Sequence, residues 1–375
     1  MLELTLLFEG TQTSFSKPEE ILVGTSGVFV EYFSGLSVPD PEAWLSEKST
    51  QYFLAGAIGY ECAWDFHDVH FPRPDSDTIP DFIVGAFTKY SKDEEDFESS
   101  QERSKWTLTP SKKPCRSDHT QKVGSAIEAI YEGELFEVNI TGHSEYDFEG
   151  NPRHLFDAMK ETNQGNWFSW LRFDDLYILS SSPECFLRVK EGKVSTDPIK
   201  GTAKVGSAES IQSEKNRAEN IMIVDLMRND LTPFCVPGTV RATELYREEV
   251  IGDIVHLVSR VEGDLYEGCT PLDLLCGCFP PGSISGAPKL RAIEIAADLE
   301  NRKRGFYCGT MFYSDPCGDL MSSVLIRSAT LVHKDSKSDS YLLAYGVGGA
   351  VVSDSDPDGE YDEALLKLGP IETFL

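Results

Sequence analysis

Two short turns in the middle of the chain each carry one side chain that could do chemistry. Lys200 lies within the segment PIKGT, and Glu184 ends the upstream segment SPE. A lysine amine is a nucleophile, and a nearby carboxylic acid can protonate the group that leaves. Glycine and proline are also ordinary turn residues, so the plainer interpretation is a surface lysine at the end of a strand. Taken alone, the two turns leave both interpretations open.

Three glutamates could supply hard oxygen ligands to a metal. Glu219 lies in a predicted helix, while Glu360 and Glu363 are three positions apart near the C-terminus and share one face of a helix. Lys367 follows Glu363 by four positions, which also fits a solvated face with an ordinary Glu–Lys pair. Mg²⁺ needs only one or two carboxylates because it keeps several waters. Spacing alone therefore leaves a magnesium site and a surface ion pair both open.

Two glycine-rich segments indicate close approach between the backbone and a ligand. Residues 282–289 (GSISGAPK) put small residues before a predicted helix, where free amides and the helix dipole favour an anion such as a carboxylate. This segment is not a P-loop, because no Gly-Lys-Ser/Thr sequence follows at the required spacing. Residues 346–349 (GVGG) lie within a predicted strand, so we interpret Gly348 and Gly349 as positions where a ligand lies against the backbone.

Two further polar side chains lie in apolar surroundings. His256, within IVHLV, has the pattern of a hydrogen-bonded core histidine. Arg327, within LIRS, is harder to place in a core, because a guanidinium inside an apolar strand requires an anionic partner. We therefore treat Arg327 as a candidate anion-binding residue.

The composition narrows the class of partner. The 375 residues carry a formal net charge of −28, and 40% of them are hydrophobic. A surface this acidic repels nucleic acids and anionic membranes, and no apolar run approaches the ~20 residues that span a bilayer. The N-terminus lacks signal-peptide features, and the nine scattered cysteines fit reduced core residues. We expect a cytosolic protein that binds neither nucleic acid nor membrane, and whose anionic ligands require local positive charge.

Short strands and helices alternate along the chain. Strands are predicted at 53–60, 136–140, 176–179, 186–189 and 341–352, and helices at 122–130, 207–229, 288–299 and 360–368. Ser207 is the predicted cap of the second helix, and Pro288 is placed in the first turn of the third. Because the spacing is not that of regular βαβ units, we predict an α+β fold. A hydrophilic stretch over 91–125 is predicted to be an exposed connection within one domain spanning 1–375, between an N-terminal part (1–115) and a catalytic part (116–375).

Together these blocks resemble the chorismate-utilising enzymes, which include anthranilate, isochorismate, salicylate and aminodeoxychorismate synthases. The segments RAENIMIVDLMRND (217–230) and GSISGAPK carry the resemblance, which is dense from 132 to 367 and thinner over 53–87. It implies a fold of two facing, mostly antiparallel β-sheets with flanking helices. Lys200 within PIKGT is similar to the aminodeoxychorismate synthase branch, whereas anthranilate and isochorismate synthases carry alanine at that place.

The resemblance also implies a reaction. Chorismate would be aminated to 4-amino-4-deoxychorismate, on the route to p-aminobenzoate and folate. Lys200 would add to C2 of the ring while the C4 hydroxyl leaves with a proton from Glu184, and ammonia would then attack C4 and expel the lysine. The attacking amine must be neutral, so we expect burial and neighbouring positive charge to lower the pKa of Lys200.

The resemblance assigns roles to the remaining candidates. Glu219 and Glu363 would hold Mg²⁺, with Glu360 beside them at the substrate. His256 would be the third catalytic residue and lies beside the ring together with Ser283. The residues implied at the substrate carboxylates are Tyr313, Arg327, Gly348, Gly349 and Lys367.

Some positions depart from the family pattern. Asn216 stands where relatives have an acidic residue, Ala350 replaces a glycine, and Glu137 replaces a glutamine. In isochorismate synthases the place of Glu137 holds a water-activating lysine, so its absence argues against water as the nucleophile.

Nitrogen is expected to come from a partner protein. No cysteine in the chain combines a strand–turn–helix setting with a downstream histidine, so we expect a separate glutamine amidotransferase subunit to deliver ammonia. Two alternatives remain. One is anthranilate synthase component I, in which Lys200 would be a bystander. The other is a catalytically silent relative that only docks an amidotransferase.

Overall fold

The computed structural model describes residues 1–25, 27–67, 79–91, 106–163, 165–206, 211–251, 254–335 and 338–375. Its strands are β1 (Leu2–Phe8), β2 (Thr11–Ser16), β3 (Glu20–Thr25), β4 (Val28–Glu31), β5 (Phe53–Ile58), β6 (Phe82–Phe87), β7 (Thr107–Lys112), β8 (Glu137–Glu149), β9 (Trp167–Phe173), β10 (Leu176–Ser182), β11 (Cys185–Lys190), β12 (Lys193–Thr196), β13 (Ile199–Lys204), β14 (Arg241–Ile251), β15 (Ile254–Asp264), β16 (Gly286–Ala287), β17 (Thr310–Ser314), β18 (Leu320–Val324), β19 (Ser328–His333) and β20 (Ser340–Val351). Its helices are α1 (Pro41–Ser49), α2 (Ala63–Phe66), α3 (Arg116–Tyr131), α4 (Pro152–Thr162), α5 (Glu214–Leu231), α6 (Pro271–Cys278), α7 (Lys289–Glu300), α8 (Pro357–Leu366) and α9 (Gly369–Glu372).

These strands form two sheets. The first has the order β16-β8-β20-β19-β10-β9-β1-β2, with β7 paired to β8. The second has the order β13-β15-β12-β11-β18-β17-β5-β6-β3-β4, with β14 paired to β15. Pairings between distant parts of the chain, such as β1 with β9 and β5 with β17, are antiparallel. The predicted α+β class with two mostly antiparallel sheets is confirmed.

The two sheets pack face to face around a shared apolar core. Strand β1 buries every second residue, from Leu2 to Phe8, as expected of a strand with one face in a core. Its side chains join Ala55 of β5, Leu171 of β9 and Met311 of β17 in one hydrophobic cluster. Residues 1–115 thus contribute strands to both sheets, and the division of the chain at residue 115 stays a prediction.

Helices cover the outer faces of both sheets. Leu155 and Phe156 of α4, with Ile371 of α9, pack on the first sheet. Ile223 of α5 and Leu275 of α6 belong to the cluster on the second sheet. The result is a four-layer arrangement of helices, sheet, sheet and helices. None of the helices in the described ranges is long and apolar enough to cross a membrane.

Several helices begin at other residues than the sequence predicts. Helix α5 begins at Glu214, where the Ser213 hydroxyl accepts a hydrogen bond from the Asn216 amide at 3.2 Å, while the predicted cap Ser207 lies outside the described residues. Pro288 is the N-cap of α7 and not part of its first turn. The last predicted helix is in fact two, because α8 starts at Pro357 after an Asp356 cap and α9 follows it.

Part of the predicted exposed connection is ordered structure. Residues 107–112 form β7 at the edge of the first sheet, and α3 begins at Arg116, six positions before the predicted start at Lys122. Residues 92–105 of that predicted connection lie outside the described ranges.

A buried arginine joins the two sheets. Arg304 donates through Nε and Nη2 to the two carboxylate oxygens of Glu300, at 3.0 and 2.8 Å. Its Nη2 also donates to the Asn139 carbonyl of β8 at 2.7 Å, and its Nη1 donates to the Ile284 carbonyl at 3.0 Å. On the other side the guanidinium lies 4.1 Å from the ring centre of Tyr60, directly after β5 of the second sheet. One side chain therefore binds the first sheet, the second sheet and the 282–284 turn.

The Arg304–Glu300 pair is almost completely dry. The two side chains are 1% and 2% exposed. Burial alone would raise the pKa of Glu300, but the Arg304 guanidinium outweighs it and the pKa is lowered. Glu300 also accepts the Thr141 amide of β8 at 2.8 Å. Removing one member of such a pair leaves an uncompensated buried charge, which is strongly destabilising.

We predict that Arg304→Ala lowers the free energy of unfolding by about 3–5 kcal/mol, because Glu300 loses its counter-charge inside the fold. Urea unfolding followed by circular dichroism measures this change. The control is Arg291→Ala on α7, whose guanidinium pairs with Glu134 and Glu294 while 42% exposed. This control should cost no more than about 1 kcal/mol. Equal losses in the two variants would contradict a special role for Arg304.

Candidate active site

Lys200 and Glu137 form an ion pair between the two sheets. Lys200 lies on β13 at the edge of the second sheet, and Glu137 begins β8 in the first. The Lys200 Nζ lies 2.9 Å from Glu137 Oε1, and the two side chains are 11% and 1% exposed. The next residue, Gly201, has φ +81, a left-handed conformation that explains glycine after the lysine.

The charge state of Lys200 differs from the prediction. Burial would lower its pKa, but the Glu137 carboxylate outweighs burial, and Glu219 and Glu184 add to the effect. The pKa of Lys200 is therefore raised, and the predicted lowering is wrong. The reason is that the neighbouring charges within reach are negative, so the resting side chain is an ammonium.

The backbone next to Glu137 is set by the glycine-rich segment 282–289. Gly286 and Ala287 form β16, which pairs with Val138 and Glu137 of β8. Gly286 has φ +144, and a Cβ there would lie 2.1 Å from the Glu137 carbonyl oxygen. Only glycine fits this position, so the segment fixes the start of β8 and with it the Glu137 side chain.

Glu184 is a buried carboxyl group at the turn between β10 and β11. Burial raises its pKa from 4.5 to about 7, even though Ser283, Lys200 and the Ile199 amide each act to lower it. The Ser283 hydroxyl is itself buried without a partner at good hydrogen-bond geometry, so its effect on Glu184 is a weak polar contact. A carboxyl group with a pKa near 7 can hold a proton at neutral pH and give it up during a reaction.

Glu219 is placed near this group by helix α5. The helix packs against β13 and β15, and its Glu219 carboxylate is half-buried and close enough to raise the pKa of Lys200. Asn216, one turn earlier, lies against Gly201, where a Cβ would meet its side chain at 3.1 Å. The Asn216 amide nitrogen donates to the Ile211 carbonyl at 3.0 Å, so this departure from the acidic residue of relatives serves the local backbone.

Arg327 and His256 form a second polar group. Arg327 has φ +50, which is uncommon for a residue with a side chain, and the guanidinium is mostly enclosed. Burial lowers the pKa of Arg327, and no carboxylate among the described residues pairs with it. Burial, with Arg327 nearby, also lowers the pKa of His256 to about 4, so this imidazole is neutral at pH 7. An arginine without a protein counter-ion is a natural site for an anionic ligand.

A third group surrounds the last strand of the first sheet. Lys367 donates to the Gly348 carbonyl at 2.7 Å and pairs with Glu363 at 2.9 Å. A Cβ on Gly349 would lie 3.1 Å from Glu360 Oε2, so the glycine lets α8 approach β20. Glu360 in turn accepts the Ser355 hydroxyl at 2.7 Å. Because Gly349 lies opposite Ile140 of β8, this group and Glu137 are on neighbouring strands.

The carboxylates predicted to bind Mg²⁺ can be compared with the ligands that this ion requires. In the described part of the chain, no three His, Cys, Asp or Glu side chains are grouped closely enough to enclose a metal. Mg²⁺ takes one or two protein carboxylates and fills its remaining positions with water or substrate oxygens. Glu219, Glu360 and Glu363 do not form such a group, so a Mg²⁺ held by one or two of them with water stays a prediction.

Tyr313 and Tyr307 have different surroundings in the fold. Tyr313 is stacked with Phe8 and tilted against Phe15, and its hydroxyl donates to Met321 Sδ at 3.1 Å, while its role at a substrate carboxylate stays a prediction. Tyr307 was not singled out from the sequence, and its ring fills the space above Gly346 of β20. The signal was the glycine itself, whose absent side chain makes room for a ring.

Comparisons with known proteins add a family. The profile described as chorismate binding enzyme matches residues 34–373. Among curated relatives, the anthranilate synthase component 1 of Aquifex aeolicus is 36% identical over 272 residues, covering 69% of this chain and 54% of that protein. The aminodeoxychorismate synthase component 1 of Salmonella typhimurium is 36% identical over 265 residues, covering 68% and 57%. That of Klebsiella aerogenes is 32% identical over 355 residues, covering 85% and 77%. The chain thus spans little more than half the length of two of these relatives.

Solved structures share the fold. The anthranilate synthase component I of Streptococcus pneumoniae has a TM-score of 0.79 at 24% identity, over 97% of this chain and 91% of that one. The menaquinone-specific isochorismate synthase of Escherichia coli has a TM-score of 0.72 at 17% identity, over 100% and 89%. At these identities the likeness establishes the two-sheet architecture.

The raised pKa of Glu184 predicts a stability effect. The folded-state pKa of about 7 lies above the ordinary 4.5, so folding is penalised as pH rises through this window, and the penalty is constant above it. Glu184→Gln removes the charge and should raise the free energy of unfolding by about 3 kcal/mol at pH 8, at roughly 1.4 kcal/mol per pKa unit. The gain over wild type should grow by about 2 kcal/mol between about pH 5.5 and pH 8.

Urea unfolding of both proteins at the two pH values measures this gain. The control is Glu128→Gln, an exposed position on α3, which should show no pH-dependent difference from wild type. A Glu184→Gln gain that is the same at both pH values would show that the buried carboxyl does not titrate in this window.

Proposed function

The chain belongs to the chorismate-binding enzyme family, as its resemblance predicts, and from that premise we propose that it aminates chorismate to 4-amino-4-deoxychorismate. The observation that carries the proposal is Lys200, an amine enclosed between the sheets, with an acid of pKa about 7 at Glu184 within electrostatic reach. A lysine that had no role would place its ammonium in water. Relatives that carry the name aminodeoxychorismate synthase match over as much as 85% of the chain.

Lys200 and Glu184 would divide the substitution into two steps. The neutral amine forms a bond to C2 of the ring while the two ring double bonds shift and the C4–O bond breaks, and Glu184 gives its proton to the departing hydroxyl, which leaves as water. Ammonia then bonds to C4, the double bonds shift back, and the C2–N bond breaks with its electrons returning to Lys200. Glu184 regains the proton that ammonium loses on becoming ammonia, so chorismate and ammonium are converted to the protonated aminated product and water.

Local cations would hold an anionic substrate in this acidic protein. Arg327 is enclosed and has no carboxylate partner among the described residues, so it can bind a substrate carboxylate without breaking a protein ion pair. The backbone at Gly348 and Gly349 and the Lys367 ammonium lie together at the end of β20. His256 is neutral beside Arg327 and would contact the ring as a hydrogen-bonding group.

Magnesium would complete the charge balance. Glu219 and Glu363 would hold it, with Glu360 beside them, and it would neutralise a ring carboxylate when bound. The residues of the chain itself would orient the ring between Lys200 and Glu184.

Ammonia would come from a glutamine amidotransferase subunit. Burial raises the pKa of the Cys308 thiol to about 12, so this cysteine is not a thiolate that could attack glutamine. Free ammonia is scarce at neutral pH, which makes delivery by a partner the efficient route.

Anthranilate synthesis is the second candidate function. It is favoured by one observation, that relatives named anthranilate synthase component 1 match this chain at 36% and 35% identity, similar to the aminodeoxychorismate synthases. In that reaction Lys200 would be a bystander, and pyruvate would be released together with a fluorescent product.

The purified chain with chorismate, magnesium and ammonium should give a product with the mass of 4-amino-4-deoxychorismate. Pyruvate and anthranilate fluorescence should be absent, and glutamine should not replace ammonium unless an amidotransferase is added. Lys200→Ala should lose at least about 10²-fold in rate, as expected on loss of a nucleophile. Its affinity for chorismate by calorimetry should change little, because other residues bind the carboxylates.

The control for this variant is Lys193→Ala, a lysine on β12 that is 79% exposed, which should keep the wild-type rate. Anthranilate and pyruvate from wild type, with no loss in Lys200→Ala, would establish the second candidate in place of the first.

Magnesium dependence is a separate expected outcome. Glu363→Gln should raise the magnesium concentration needed for half-maximal activity by at least about tenfold, because one of few carboxylate ligands is lost. Calorimetric titration with magnesium should show the same loss of affinity. Asp362→Asn is the matched control on α8, since Asp362 pairs with Arg116. Full wild-type activity in excess EDTA would contradict the assignment.

A further inference from the structure

We propose that Glu137 is the base that takes the proton from Lys200 before the amine attacks and returns it when the lysine leaves. This inference rests on the proposed function and adds a catalytic residue to it. Among the described residues, the Glu137 carboxylate has one hydrogen-bond partner, the reacting nitrogen of Lys200, at 2.9 Å.

The surroundings of Glu137 fit a base rather than a structural anchor. Its side chain is 1% exposed, so water does not compete for the carboxylate. Its second oxygen, Oε2, is buried and has no hydrogen-bond partner among the described residues. A structural carboxylate such as Glu300 accepts an arginine fork and a backbone amide as well. Glu137 therefore keeps free acceptor capacity, and a proton can reach it without displacing a donor of the protein.

The other groups around Lys200 are poor candidates for this task. Glu184 is protonated over much of the neutral range and is needed as the acid. Glu219 on α5 also raises the pKa of Lys200, but the proposed function already assigns this carboxylate to the metal. His256 on β15, the strand paired with β13, is neutral with a lowered pKa and is a weak base. Glu137 accepts a hydrogen bond from the ammonium at 2.9 Å and has no other assigned task.

Proton transfer within the pair leaves its total charge unchanged. The Lys200 ammonium becomes an amine, and the Glu137 carboxylate becomes a carboxylic acid. A substrate that displaces the remaining water would favour this neutral pair, because a dry site disfavours separated charges. The amine then bonds to C2 as water leaves C4. When ammonia has bonded to C4 and the C2–N bond breaks, Lys200 recovers its electron pair and regains the proton from Glu137. Both residues return to their starting states.

A distinct pH dependence follows from transfer within the pair. In the wild type, the proton passes from Lys200 to Glu137 without exchange with bulk water. Formation of the reactive amine is therefore independent of pH over the range in which the two side chains share one proton. In Glu137→Gln the ammonium must lose its proton to water, so the rate of amine attack should rise about tenfold per pH unit for as long as Glu219 and Glu184 keep Lys200 an ammonium. A glutamine still fills the space and still accepts a hydrogen bond from Lys200.

The test is the rate at which Lys200 forms its covalent adduct with chorismate in the absence of ammonia. Quenched samples of wild type and Glu137→Gln are measured by intact mass at pH values from about 6.5 to about 8.5. We expect Glu137→Gln to be roughly 10²-fold slower at pH 7, in the range of general-base catalysis, with the wild-type-to-variant ratio falling about tenfold per pH unit. Taking the ratio cancels the pH dependence of Glu184, which both proteins share.

Two further variants keep the test decisive. Glu137→Asp retains a carboxylate and should keep a pH-independent ratio to wild type, even if it is slower. Glu145→Gln on the same strand, where the native carboxylate pairs with Lys112 at 3.1 Å, should match wild type. Thermal unfolding confirms that each variant is folded.

The outcomes separate this inference from the proposed function. A Glu137→Gln ratio that is constant with pH, or a wild-type rate in that variant, overturns the role of Glu137 while the wild-type adduct still stands. Absence of any adduct and any aminated product in wild type overturns the proposed function and this inference with it.

Discussion

The Arg304–Glu300 pair is the constraint on which the candidate site depends. The site is assembled from edges of two sheets, since Glu137 begins a strand of the first and Lys200 lies on the edge strand of the second. A 2.9 Å contact between them requires the sheets to keep their relative position within a fraction of an ångström. Arg304 fixes that position by binding the Asn139 carbonyl, two residues from Glu137, while its guanidinium lies over the ring of Tyr60, in the turn that follows β5 of the other sheet. The Arg304–Glu300 pair thus positions the Lys200–Glu137 pair.

Charge is distributed so that an acidic protein can accept an acidic ligand. The chain carries a net charge of −28, but the candidate site also contains the cations Lys200, Arg327 and Lys367. Two of these are already balanced by Glu137 and Glu363, whereas Arg327 has no carboxylate partner among the described residues. A substrate carboxylate could therefore bind the Arg327 guanidinium without breaking an ion pair of the protein. The uncommon φ of +50 at Arg327 indicates a backbone that its surroundings hold in place.

Much of the fold and part of the site could be predicted from sequence, for reasons that particular residues make clear. Alternating and continuous apolar runs located β5, β10 and β20, because burial patterns are local in sequence. The start of α5 was missed, because several serines can cap a helix and tertiary packing selects Ser213. The packing of Tyr307 was not predicted, because only the fold brings its ring against Gly346 of β20. The charge state of Lys200 was wrong because it depends on Glu137, 63 positions away in sequence.

Two buried glutamates near Lys200 have the opposite proposed roles of acid and base. Glu184 and Glu137 are both buried glutamates that act on Lys200, and sequence distinguishes them only by position. Glu184 has weak polar neighbours, so burial dominates and raises its pKa to about 7. Glu137 Oε1 lies 2.9 Å from the Lys200 ammonium, so the two buried side chains form an ion pair. The proposed acid and base would thus differ in their contact with one lysine, and the contact of Glu137 with Lys200 depends on how the two sheets meet.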